Sequence, residues 1–135
     1  MQPSSWDKRY SISISTVDIQ HQSLVKILDE LTMLVSQKKE IGLINPLLDN
    51  LFTGVKEHFE CEENLMKSHH YPSFAIHKAM HDAFLKQLSK DYSSWKEGKE
   101  SLSIEGVSLL KRWFIDHILG ADKLLTPFFN QKGLS

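Results

Sequence analysis

The chain is poor in the features that mark several common protein classes. A single cysteine, Cys61, among 135 residues excludes an intrachain disulfide and fits a reducing compartment. No apolar run approaches the ~18 residues that a transmembrane helix needs, so no membrane association is expected. There is no basic block: the net charge is -1 and the two signs are interleaved, which argues against nucleic acid and anionic membrane as partners. The opening "MQPSSWDKRYSISIST" has no apolar signal core, and the expected location is the cytoplasm. No repeat, low-complexity segment or interdomain linker divides the chain, so residues 1–135 read as one domain. Histidine stands out instead, with seven copies at positions 21, 58, 69, 70, 77, 81 and 117.

Apolar residues recur at helical spacing in four segments. The first, about 18–37, carries the stripe His21, Leu24, Val25, Leu28, Leu31 and Val35, and Ser15 with Asp18 resembles a capping box at its start. The second, about 45–68, begins at Asn45-Pro46, a capping residue followed by proline at the first helical position. The third, about 73–97, follows the Tyr71-Pro72 break and stops at Gly98. The fourth, about 103–119, runs through Val107, Leu110, Phe114 and His117. A short tail helix, about 121–130, is cut by Pro127. Residues 1–15 read as an extended arm held to the rest by Trp6 and Tyr10. The expected fold is all-α: an up-down-up-down antiparallel four-helix bundle with that amino-terminal arm and the short carboxy-terminal helix.

In such a bundle the unusual residues share one end. His21 lies near the start of the first segment, and His58 and Glu62 near the end of the second. His77 and His81 open the third, and His117 and Asp122 close the fourth. His58/Glu62 and His77/His81 are each four residues apart, which on a helix sets their Cβ atoms ~6 Å apart, suited to gripping one metal or two adjacent ones. His117 and Asp122 are five apart, so Gly120 is expected to turn the backbone and bring Asp122 back. Burying two carboxylates among five imidazoles costs several kcal/mol per unpaired charge, and metal coordination is the simplest compensation. Nitrogen and oxygen donors without thiolates suit iron, manganese, zinc or copper. With a bridging oxide or hydroxide, the donors fall about one short of the roughly 12 positions around two octahedral metals, on the side with fewer histidines.

Four motifs also resemble a known family. "DIQH" (18–21), "HFECEE" (58–63), "HKAMH" (77–81) and "HILGAD" (117–122) are similar, in order, to the DxQH, HFxxEE, HxxxH and HIxxxD of the hemerythrins. The opening Trp-to-Tyr arm, Tyr71-Pro72 and Trp113 four residues before His117 resemble the bacterial members. The resemblance implies a non-haem di-iron centre, two iron ions per chain with a bridging oxide or hydroxide, that binds dioxygen reversibly for storage, transport or sensing. It implies that His77, His81 and His117 hold one iron, that His21 and His58 hold the other, and that Glu62 and Asp122 bridge. Dioxygen, or a small anion such as azide in the oxidised form, is expected at the two-histidine iron, and no enzyme activity is expected.

Two further roles fit the same motifs. One is a sensing domain fused to, or partnered with, a chemotaxis receptor or cyclic-dinucleotide enzyme. The other is a di-iron oxidase or peroxidase, although ferritin-like oxidising sites use Glu-x-x-His pairs and more carboxylates than this chain offers. Trp113 is expected over the metal pocket, with Leu24, Leu28, Phe59 and Ile118 as further wall residues. His69 and His70 read as solvated turn residues, and Cys61 as a small packing residue beside Glu62.

Overall fold

The apolar stripes fold against one another as five α-helices in the computed structural model, which describes residues 5–135. These are α1 (Ser15–Ser36), α2 (Ile41–Ser68), α3 (Phe74–Lys96), α4 (Ile104–Gly120) and the short α5 (Leu125–Gln131). Two 3-10 turns, Lys8–Tyr10 and Asp122–Leu124, precede α1 and join α4 to α5. The first four helices form a four-helix bundle, and the described residues contain no strand. None of the described helices is long and apolar enough to cross a membrane.

Backbones approach closely along α1–α2, α2–α3 and α1–α4. The α3–α4 seam is wider and is bridged by side chains, with Phe84 stacked on Trp113 at 3.9 Å between ring centroids. The core includes Leu24, Leu28, Leu31, Leu51, Val55, Phe59, Leu88 and Phe114, all shut from solvent.

Helix starts depart from the sequence reading at three places. Ser15 and Asp18 form no capping box. Ile14 occupies the cap position, and Asp18 instead accepts hydrogen bonds from the Ile12 N–H at 2.8 Å and the Ser11 hydroxyl at 2.6 Å. Asp18 thus ties the arm to α1. The arm's deepest anchors are Ile12 and Ile14, both buried; Trp6 and Tyr10 are half-buried and pack edge to face. The expected arm began at residue 1, but residues 1–4 lie outside the described part.

α2 begins at Ile41, so Pro46 sits inside the helix. Proline there removes the donor for the Gly42 carbonyl, but Gly42 is exposed and water can replace it. The apolar residues Ile41, Leu43 and Ile44 extend the helix backwards past the proline. Pro127 likewise does not cut α5. It lies in that helix's first turn, where a missing N–H is no loss.

The residues just before α1 meet α5 at one end of the bundle. The Thr126 hydroxyl donates to the Ile12 carbonyl at 2.6 Å, and Asn130 Nδ2 to the Ser13 carbonyl at 3.3 Å.

Candidate metal centre

All seven residues singled out in the sequence converge at that end. His21 comes from α1, His58 and Glu62 from α2, His77 and His81 from α3, His117 from α4 and Asp122 from the following 3-10 turn. Every one is buried, and Glu62 and Asp122 have no exposed surface. Gly120 does not make the turn that delivers Asp122. It remains within α4, Ala121 keeps helical angles, and tightening to 3-10 geometry swings Asp122 inward.

The donor atoms divide into two sets. Glu62, His77, His81, His117 and Asp122 form one; His21, His58, Glu62 and Asp122 form the other, with ligand atoms in each set within 4.8 Å of one another. The carboxylates belong to both, and each splits its oxygens between them. Glu62 Oε1 lies 2.7 Å from His77 Nε2 and 3.1 Å from His81 Nε2, while its Oε2 lies 3.1 Å from His58 Nε2. Asp122 Oδ1 lies 3.0 Å from His77 Nε2 and 3.1 Å from His117 Nε2, while its Oδ2 lies 3.1 Å from His21 Nε2.

Two outer partners, which the sequence reading quoted within its motifs without giving them a role, orient the rings. His58 Nδ1–H donates to Gln20 Oε1 at 2.7 Å, and His81 Nδ1–H donates to Glu63 Oε2 at 2.8 Å. Both partner oxygens are acceptors, so the inner Nε2 of each ring is the atom left to present a lone pair to the cluster. Gln20 and Glu63 each lie one position from a ligand on their own helix. Such neighbours point about 100° away, toward the adjacent helix, but the offset alone does not say what they meet there.

Aromatic rings close the sides. Phe59 stacks face to face on His81 at 3.8 Å, and Trp113 on His117 at 4.8 Å. Phe114 stands edge-on to His21 at 5.5 Å and to His58 at 6.3 Å. Sequence periodicity marks Phe114 as core and cannot show that it covers the two-histidine set. Trp113 covers the three-histidine set. Leu24, Leu28 and Ile118 are core residues; Leu24 packs so closely on α2 that a Cβ at Gly54 would meet its Cδ2 at 2.9 Å. The opening beside the cluster is a groove of about 550 Å³ along the α3–α4 seam, bordered by His77, Met80, Trp113, His117 and Leu124. Of the expected wall residues, Trp113 alone borders it.

The electrostatics fit a cation. Burial opposes a proton on His21 and on His77, but Asp122 and Glu62 outweigh it and hold both imidazoles up to about 9. Burial also opposes charge on Glu62, yet the surrounding histidines hold its carboxyl well below the usual range. Asp122 is lowered as well, against burial and the Glu62 charge, by His117, His21 and His77. Protons on His21 and His77 balance the two carboxylates. Even so, both nitrogens of His21, His58 Nε2, Glu62 Oε2 and both Asp122 oxygens are buried without a well-formed hydrogen bond. His81 Nε2 and His117 Nε2 also point at each other, 3.1 Å apart. Orphaned acceptors and converging lone pairs are what cations between them would satisfy.

The other two histidines and the cysteine lie outside the cluster. His69 is half-buried rather than solvated: its Nδ1 bonds the Leu65 carbonyl at 2.9 Å and its ring meets Phe129. His70 is exposed with left-handed backbone angles at the end of α2. Cys61 is partly buried and free.

The family model described as "Hemerythrin HHE cation binding domain" matches residues 13–129. The bacteriohemerythrin of Aquifex aeolicus (strain VF5) is 31% identical over 99 residues, covering 73% of this chain and 73% of that protein. That of Stenotrophomonas maltophilia (strain R551-3) is 29% identical over 118 residues, 87% of this chain and 76% of that protein. A solved structure described as "Crystal structure of hemerythrin:wild-type" superposes with a TM-score of 0.86 at 25% identity, covering 91% of this chain and 95% of that one.

Proposed function

The chain belongs to the hemerythrin family, and from that premise we propose that it binds dioxygen reversibly at a pair of irons, for storage, transport or sensing. The observation that carries the reading is the split of both buried carboxylates, each with one oxygen on either side of the cluster. His77, His81 and His117 would hold one iron and His21 and His58 the other, with Glu62 and Asp122 shared. The irons, when bound with their oxide or hydroxide bridge, supply the electrons for taking up dioxygen and recover them on its release.

The chain's own residues supply the rest. Gln20 and Glu63 fix the rings of His58 and His81 so that Nε2 faces inward. Phe114 and the packed core around it keep water from the two-histidine side, where a small ligand such as dioxygen or azide would sit. Five imidazoles against two carboxylates stabilise high iron oxidation states less than a carboxylate-rich set would. This favours binding over turnover, and we assign no enzymatic role. The single cysteine fits a cytoplasmic setting.

The test is spectroscopic. Dithionite-reduced, iron-loaded protein should be colourless, gain charge-transfer bands in air and lose them again when oxygen is removed. Bands that never reverse, or substrate turnover in air, would overturn the proposal.

A further inference from the structure

The two halves of the cluster differ in what lies behind their ligands. On the three-histidine half, His81 Nδ1–H donates to a carboxylate, Glu63 Oε2, at 2.8 Å. The Glu63 side chain is 15% exposed, so its charge is partly sheltered from solvent. Its nearby cation, Lys78 Nζ, is 4.0 Å away and bonds Asp82 instead at 2.9 Å. Most of the pull of Glu63 is therefore directed at His81. On the two-histidine half, the matching bond from His58 Nδ1–H ends on the neutral amide oxygen of Gln20 at 2.7 Å. Hydrogen bonds to an ionised acceptor are roughly twice as strong as neutral ones. A carboxylate behind an imidazole raises the basicity of its inner nitrogen.

Access differs in the same direction. His77 and His117 border the solvent-facing groove on the α3–α4 seam. His21 has no exposed surface and lies against Phe114.

We propose that Glu63 is a positioning residue that makes the three-histidine half the tighter, first-filled metal position, while Gln20 leaves the other half the weaker, second-filled one. This rests on the reading that the cluster holds two metals. Histidine number alone would also favour the three-histidine half, so the charge of Glu63 must be separated from ligand count. Glu63→Gln does that: it keeps the size and an acceptor oxygen and removes only the charge. Gln20→Glu does the converse on the other half.

The experiment is a titration of metal-free protein with cobalt(II), followed by calorimetry and by tryptophan fluorescence. Trp113 stacks on His117, so the part of the quenching that disappears in Trp113→Phe reports filling of the three-histidine half. The wild type should take up cobalt in two resolved steps, with the Trp113 signal complete in the first. In Glu63→Gln the first step should weaken roughly 10–100-fold while the second stays in place. In Gln20→Glu the second step should tighten and close the gap.

An unchanged first step in Glu63→Gln overturns the proposal. So does an equal weakening of both steps, which would mark a general packing role. If Glu63→Gln does not fold, Gln20→Glu decides alone: a second step that does not tighten overturns the inference. Wild type that binds two cobalt ions with equal affinity sinks the inference and spares the two-metal reading. Wild type that binds none sinks both.

Discussion

The three-histidine and two-histidine halves share both carboxylates and little else. The first sits at the wide α3–α4 seam, with a groove at its edge, Trp113 and Phe59 stacked on its rings and a carboxylate behind His81. The second is enclosed between the tightly packed α1 and α2, with Phe114 against both rings and an amide behind His58. The small-ligand position expected from donor counting would therefore lie on the sealed half, whereas the visible opening lies beside the three-histidine half.

Removing a shared residue should erase the contrast, and this is the largest effect expected. Glu62→Ala takes an oxygen from each half at once, and iron analysis should find neither position filled. Retention of a full iron pair would show that Glu62 is not a bridge.

Opening the sealed half comes next. Phe114→Ala should cost about 3–5 kcal/mol in urea denaturation, the usual range for a buried phenylalanine. It should also speed irreversible bleaching of the oxygenated form in stopped-flow absorbance. An unchanged bleaching rate would mean that Phe114 packs the bundle without keeping the half dry.

The halves also carry one raised imidazole each, His21 and His77, both near 9 against an ordinary value of 6.5. Their contribution to the metal-free fold is fully present below about pH 6.5 and fades as pH rises through about 9. The lowered Glu62 and Asp122 contribute in the opposite sense, present above the ordinary carboxylate range and lost as acid protonates them. Metal-free protein should thus be most stable near pH 5–6.5 and weaken toward alkali. Iron-loaded protein, with those protons displaced, should not show the alkaline loss. Thermal melts across pH, with and without iron, check both statements.

The smallest effect is expected at the open half. Trp113→Phe keeps an aromatic ring on His117 and should cost about 1 kcal/mol or less.

The bundle and the converging donors were legible because periodicity reports which face of a helix is buried, and residues four apart on one helix report a shared target. Asp122 was legible as a donor, but not the backbone route to it: Ala121 and the 3-10 turn, not Gly120, bring it inward. The start of α2 was hidden because a capping-type Asn45-Pro46 pair outweighs four weak upstream residues in any local reading. What Gln20, Glu63 and Phe114 do was hidden for another reason, although all three residues had been noted. Their roles lie across helix boundaries, and a pattern within one helix cannot say what a neighbouring helix places opposite.

Ile12 and Ser13, held by Thr126 and Asn130, fasten the leading and trailing segments over the end that houses the donors, and Asp18 anchors that fastening one turn before His21. Chelators stripping the protein should thus work by unbuckling this clasp rather than by melting the four rods. A bulky tag joined near the leading segment would register as leakier metal long before it registered as lost helix.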